Sequence, residues 1–176
     1  MVKINVFDSS EVIIDDYPFA EQLKEVLVPV LAKYPDIQKR RSNVKARMTE
    51  WKWDPELIPL RNFKNYIREE ISRYFSLHTS GHVSTFNSLK DFWGNVYKKG
   101  DYTLSHAHKP CYVSCVYFLK TKWYDSSLVF TASKKRIRPK EGRYVLFPSH
   151  LMHHVSKHRY NHQRMTLSGN WINKNA

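Results

Sequence analysis

The chain has 176 residues, of which 41% are hydrophobic and 14% aromatic, enough to bury one sizeable core and in keeping with a single domain. No apolar run approaches the ~18 residues needed to cross a bilayer, and the opening Met1-Val2-Lys3-Ile4 lacks the apolar stretch of a secretion signal, so a soluble, cytoplasmic protein is expected. Two cysteines, Cys111 and Cys115, make neither a disulfide framework nor a zinc-finger pattern and are expected to be reduced, packed thiols.

The net charge of +13 is unevenly placed. Residues 1–89 hold 13 Lys/Arg against 12 Asp/Glu, whereas residues 90–176 hold 16 against 4. Such a field favours anionic ligands, from small dicarboxylates to nucleotides and nucleic acid. The second half also holds only Asp91, Asp101, Asp125 and Glu141 as carboxylates but seven of the nine histidines, so a metal site there must be built largely from imidazole.

In chain order, the first third reads as helix and loop. Leu23, Val26, Leu27, Val30, Leu31 and Tyr34 recur at three- and four-residue steps across residues 18–34, with Pro29 as a candidate kink. The basic stretch 39–45 reads as a solvated loop. A stronger helix is expected over 55–76: Asp54 suits the N-cap, Pro55 the first turn, and Leu57, Leu60, Phe63, Tyr66, Ile67, Ile71, Tyr74 and Phe75 form one stripe facing a core. A linker over 76–84 carries the turn signal Thr79-Ser80-Gly81.

Beyond it the period changes. Short β-branched and aromatic runs at 91–97, 112–120, 127–131, 142–147 and 164–172 alternate with turn signals such as Gly100-Asp101 and Glu141-Gly142. Helices followed by many short strands argue an α+β fold with an antiparallel barrel or sandwich.

His106-Ala107-His108 precedes the strongest of these strands, and residues two apart on an extended chain face the same way, so both imidazoles can reach one ion. The segment Leu146-Phe147-Pro148-Ser149-His150-Leu151-Met152-His153-His154 returns a further imidazole from a distant strand. Alone, an H-x-H pair is weak evidence, since strand histidines are often surface or satisfied core residues. In Arg164-Met165-Thr166-Leu167-Ser168-Gly169-Asn170-Trp171, the even positions make one wholly polar face headed by a guanidinium. If that face looks into a barrel, Arg164 requires an anion, and a carboxylate fits its fork. If Met165, Leu167 and Trp171 face the core instead, Arg164 faces water.

Taken together, these residues resemble the 2-oxoglutarate and Fe(II) oxygenases of the double-stranded β-helix type, in particular the small prolyl-hydroxylase-like group of bacteriophage and bacteria. The resemblance covers residues 92–172: Trp93-Gly94-Asn95-Val96, Gly100, His106-Ala107-His108, Pro110, Ser114-Cys115-Val116-Tyr117, Pro139-Lys140-Glu141-Gly142, Leu146-Phe147-Pro148-Ser149, His153 and Arg164-Met165-Thr166 ending in Asn170. It implies a jelly-roll, cupin-like barrel over 85–176, supported by a mainly helical region over 1–84, and oxidative decarboxylation of 2-oxoglutarate coupled to hydroxylation of a substrate. For a phage-encoded chain the compartment is the host cytoplasm.

The resemblance makes His106, His108 and His153 the metal ligands and sets Arg164 and Thr166 on the distal carboxylate of 2-oxoglutarate. Tyr117 is a further candidate for that carboxylate, or a packed strand tyrosine. His154 is the alternative to His153, and His150, His158 and His162 read as exposed loop residues. One position departs from the family: its second ligand is usually Asp or Glu, and here it is His108. Asp101 is the alternative ligand, with His108 then behind it. Three imidazoles suit Fe(II) but also Zn, Ni, Cu and Co. The competing readings are a three-histidine cupin dioxygenase indifferent to 2-oxoglutarate and a non-catalytic binding barrel. The basic segment 134–140 is expected at a barrel loop, either as a solvated charge run or as a contact for an acidic protein or nucleic acid.

Overall fold

The computed structural model describes residues 1–7, 10–78 and 88–172. Two antiparallel sheets face each other, and two helices cover the outer face of the larger one. The larger sheet is formed by β1 (Val2–Phe7), β2 (Ser10–Asp16), β4 (Arg47–Met48), β5 (Ser88–Tyr97), β7 (Val113–Lys120), β10 (Arg143–Pro148) and β12 (Arg164–Ile172), in the order β1-β2-β10-β7-β12-β5-β4. The smaller is formed by β3 (Val44–Lys45), β6 (Tyr102–His106), β8 (Leu128–Phe130), β9 (Arg136–Ile137) and β11 (His153–Val155), in the order β3-β6-β11-β8-β9. This is the expected α+β jelly roll.

Side-chain alternation separates two cores. On the outer face of the large sheet, Phe92, Val96, Cys115, Tyr117, Tyr144, Leu146, Met165, Leu167 and Trp171 meet Leu23, Leu27 and Leu31 of α1 (Ala20–Lys33) and Leu60, Phe63, Ile67 and Ile71 of α2 (Ile58–His78). Each large apolar side chain buried there contributes roughly 1.5–3 kcal/mol. Between the sheets, Val12, Phe118, Leu128, Phe130, Val145, Phe147 and Leu151 fill one end of the barrel. Gly94 sets how closely α1 lies on β5, because a Cβ there would stand 2.5 Å from Leu31 Cδ2. Arg47 Nη2 donates to the carbonyls of Leu31 and Ala32 at 3.1 and 2.9 Å, satisfying the last turn of α1.

The N-terminal region differs from the helix-and-loop expectation. It contributes a hairpin, β1–β2, that extends the large sheet through β10, with Val145 opposite Ile14. The short run Val12-Ile13-Ile14 is buried on both sides: Val12 joins the barrel core and Ile13 the helical core. Helix α2 begins at Ile58 rather than Pro55. The Leu57 carbonyl accepts from the Leu60 and Arg61 amides at 3.0 Å, while Asp54 pairs with Lys64 at 2.7 Å instead of capping. The expected turn at Thr79-Ser80-Gly81 lies outside the described residues. Cys111 and Cys115 are free and buried. Among the described residues no helix is long and apolar enough to cross a membrane.

Candidate metal centre

The site is built where β6, β11 and β12 converge inside the barrel. His106 ends β6 and His153 opens β11, and the two are cross-strand partners. His108 follows β6 and is held by its amide, which donates to the Ser149 carbonyl at 2.8 Å. The ring centroids stand 4.4 Å (His106–His153), 4.7 Å (His106–His108) and 5.1 Å (His108–His153) apart. One nitrogen from each ring lies within 4.8 Å of the other two.

Hydrogen bonding fixes which nitrogens are offered. His106 Nδ1 and His153 Nδ1 donate to the carbonyls of Leu104 (2.7 Å) and Leu151 (2.9 Å), so each Nδ1 carries the proton and each Nε2 keeps its lone pair. His108 Nδ1 instead meets the side-chain amide of Asn170 at 3.3 Å, and Asn170 is tied to Ser114 (2.8 Å), which meets Ser149 (2.8 Å). With the amide nitrogen toward the ring, His108 Nδ1 is the acceptor. Turning the amide over presents its oxygen, puts the proton on Nδ1 and frees Nε2 for a metal, while Ser114 still finds a partner.

Burial holds all three rings neutral. It depresses the pKa of His106, pushes that of His108 down to about 3 with His106 as the lesser cause, and lowers that of His153 well below its usual value. Three neutral imidazoles sharing one face are ready donors for a divalent transition ion.

Arg164 is fully buried in the same cavity. Among the described residues its Nε, Nη1 and Nη2 have no hydrogen-bond partner, and its Cζ stands 4.8 Å from the Tyr97 ring and 5.5 Å from that of Phe118. A guanidinium this deep that makes no direct ion pair among the described residues costs several kcal/mol, which an anion with two parallel oxygens offsets. Thr166 lines the cavity beside it, and Asn95 Nδ2 donates to Thr166 Oγ1 and Ser168 Oγ at 3.3 Å each. Trp93 Nε1 and Asn95 Oδ1, both buried, also face this cavity without partners. The donor set fits a chelated dicarboxylate: nitrogen ligands for a metal at one end, a guanidinium at the other. The free space enclosed is about 30 Å³, room for a water or two, so a five-carbon diacid enters only as rim side chains turn aside. A larger groove of about 760 Å³ beside Asp54, Arg61, Lys64 and Trp171 includes none of these groups.

His106, His108, His153, Arg164 and Thr166 are brought together. Tyr117 is not among them: it lies on the opposite face of β7, packed on Phe63 (4.6 Å) and Tyr17 (6.3 Å) under the helices. Pleating explains this, since its barrel-facing neighbours are Val116 and Phe118. The tyrosine on the cavity side is Tyr97, whose hydroxyl pairs with Thr103 Oγ1 at 2.7 Å. Its signal was present in Trp93-Gly94-Asn95-Val96-Tyr97, whose odd positions all point inward.

Asp101 does not join the three histidines: its carboxylate binds Arg40 and the Lys98 amide, the latter at 2.8 Å. His154 turns away from the triad to meet Thr131 Oγ1 at 3.0 Å. His158 and His162 are not exposed loop residues: with Asp125 they form a second cluster, and His158 is 1% exposed.

Comparison with known proteins agrees with this geometry. Residues 131–170, which include His153 and Arg164, match the model of the family described as "Putative 2OG-Fe(II) oxygenase". The barrel as a whole is similar in fold to those of solved 2OG-Fe(II) oxygenases. The viral collagen prolyl hydroxylase of Paramecium Bursaria Chlorella virus-1, in its 2OG complex, superposes with a TM-score of 0.69 at 16% identity over 95% of this chain and 98% of that one. A Pseudomonas putida prolyl-4-hydroxylase gives 0.68 at 16% identity over 94% of each chain. HygX from Streptomyces hygroscopicus, with nickel and 2-oxoglutarate bound, gives 0.65 at 10% identity over 96% and 85%. No curated protein matches the chain by sequence. The resemblance read from the motifs therefore stands in the fold, and the family model matches the segment that carries His153 and Arg164.

Proposed function

We propose that this protein is a 2-oxoglutarate- and Fe(II)-dependent oxygenase that hydroxylates its substrate. The observation that carries this reading is the guanidinium of Arg164, fully buried, unpaired and sharing one cavity with three neutral imidazoles. When bound, the metal and its cosubstrate supply the oxidising chemistry, coupling decarboxylation of 2-oxoglutarate to hydroxylation of a C–H bond.

The chain supplies orientation and exclusion of water. His106, His108 and His153 hold the ion through Nε2, with backbone carbonyls and Asn170 fixing the rings. Arg164 and Thr166 receive the distal carboxylate, and the Tyr97 ring keeps the guanidinium in place. Three neutral ligands leave a divalent ion its full charge, whereas a carboxylate ligand would cancel part of it. A dianionic cosubstrate is matched to that charge, and the absence of a carboxylate leaves Ni, Co and Zn as competitors for the site.

For the substrate we infer a prolyl side chain in a peptide as the first to try. Two of the structural relatives carry that activity in their names. A pair of indoles also flanks the metal end: Trp51, 38% exposed, stands 4.8 Å from Trp93, which stands 5.8 Å from His108. Such faces suit a pyrrolidine ring, and the basic second half favours an acidic sequence around it. The charge fits an acidic protein and nucleic acid alike, and the absence of a zinc-finger, helix-turn-helix or aromatic RNA-binding pattern makes the acidic protein the first to try.

Anaerobic titration of the Fe(II)-loaded protein with 2-oxoglutarate tests the activity class. A weak visible charge-transfer band, lost in Arg164→Ala at the same concentrations, is the expected result. A metal-loaded protein that shows no band would instead be a three-histidine cupin, the reading that His108 favours.

A further inference from the structure

The two segments that enter and leave the small sheet place a second group of ligand-type side chains at the Arg164 end of the barrel. Asp125 lies between β7 and β8, and His158 and His162 lie between β11 and β12. One donor atom from each falls within 4.8 Å of the others. Asp125 is held in one orientation: its Oδ2 accepts from Thr121 Oγ1 at 3.0 Å and the Lys122 amide at 2.9 Å. That leaves Oδ1 for His162 Nε2, 2.8 Å away.

The decisive atom is His158 Nδ1. The ring is 1% exposed, and its Nε2 donates to the His162 carbonyl at 3.0 Å, so the proton sits on Nε2 and Nδ1 keeps a lone pair. That Nδ1 is buried and has no partner. A buried basic nitrogen without a donor carries a desolvation cost, which a water or a bound ion would offset.

We propose that Asp125, His158 and His162 form a second site for a divalent transition ion, bound through Asp125 Oδ1, His158 Nδ1 and His162 Nε2. Ligands on a tetrahedral ion of zinc's bond lengths stand about 3.3 Å apart. The Asp125–His162 contact therefore opens by about half an ångström to admit the ion. The His162 proton passes from Nε2 to Nδ1, and the side chain, 27% exposed and flanked by the rings of Tyr124 and Tyr160, provides the route to solvent.

Arg164 stands close by and adds positive charge to the neighbourhood. Hard ions held by charge alone, such as Mg or Ca, are therefore disfavoured, while two imidazoles and one carboxylate select zinc, cobalt or nickel. The site is separate from the first one. The two share no ligand: His108 meets β12 at Asn170, whereas this cluster lies beside Arg164, at the other end of that strand.

Metal content decides the matter independently of the first site. Full-length protein stripped with chelator, loaded with Co(II), desalted and assayed by mass spectrometry is expected to hold two ions per chain. His162→Gln, which changes a partly exposed side chain and should fold normally by circular dichroism, is expected to hold one, as is His106→Ala. The double variant is expected to hold none.

One ion in the wild type, retained in His162→Gln and lost in His106→Ala, would overturn the proposal and leave the oxygenase site intact. One ion lost in His162→Gln but kept in His106→Ala would support it while removing the first site. Both His158→Asn and His162→Gln should also lower the tetrahedral Co(II) absorption around 600 nm; an unchanged spectrum in both would count against the proposal.

Discussion

The two faces of β12 are buried to the same degree and built for opposite ends. Met165, Leu167 and Trp171 are at most 1% exposed and meet helices whose side chains fill the space around them. Arg164, Thr166 and Asn170 are at most 2% exposed and meet a cavity in which a guanidinium has no partner. Burial alone therefore does not distinguish stability from function in this strand. What distinguishes them is whether the buried atoms are satisfied by the protein or wait for something outside it.

Substitutions on alternate residues sharpen that contrast. The largest effect is expected for Arg164→Ala, which removes a desolvated charge pair worth about 3–5 kcal/mol and should weaken 2-oxoglutarate binding by roughly 10²–10³-fold in calorimetry. Its melting temperature should not fall, because an unpaired buried charge has also been removed. Leu167→Ala, one residue step away in facing, should do the converse: about 3 kcal/mol of stability lost in denaturant unfolding, with 2-oxoglutarate affinity at the wild-type value while the protein is folded. Equal loss of ligand affinity in the two variants would erase the distinction.

Asn170→Leu is expected to weaken metal binding by about 10–100-fold, because His108 loses the amide that selects its tautomer, while Asn170→Asp, which accepts from Nδ1, should retain it. The interior is also the face that titrates. His106, His108 and His153 all have folded pKa values below the unfolded 6.5, so the unfolded chain takes up more protons as pH falls. Stability of the metal-free protein is therefore complete above about pH 6.5 and declines below it, toward about pH 3 for His108. A melting temperature that is flat between pH 7.5 and 5.5 would contradict this. The smallest effect is expected for Thr166→Val, about 1 kcal/mol or fivefold in 2-oxoglutarate affinity, read by the same titration.

The site was legible because its residues fall on regular backbone. The H-x-H pair, the alternation of β12 and the spacing to His153 survive as sequence patterns, and the strand at Arg164–Ile172 was recovered with its ends. Tyr117, left open in the sequence between the carboxylate and a packed strand position, takes the packed one, because one residue on a strand reverses the face and no pattern within Ser114-Cys115-Val116-Tyr117 tells which face is inside. The Asp125, His158 and His162 cluster was missed for a different reason. Its members lie in irregular segments, where only the three-dimensional course of the chain brings residues 125 and 158 together. The β1–β2 hairpin was missed because its apolar run is short and its partner, β10, is far away in sequence.

The position of β12 has a consequence for how the molecule is made. It lies between β7 and β5, next to the central strand of the seven-stranded sheet, yet all of β6 to β11 is synthesised between β5 and β12. A ribosome therefore releases β5 and β7 with the slot between them still open, exposing the strand edges and the apolar surface that Met165, Leu167 and Trp171 later cover. The sheet cannot close gradually from one end; it waits for a late insertion, and the guanidinium and polar face of the cavity arrive in the same step. Until that strand docks, the nascent chain presents two unpaired edges to any neighbour, and folding and completion of the cosubstrate pocket become a single event.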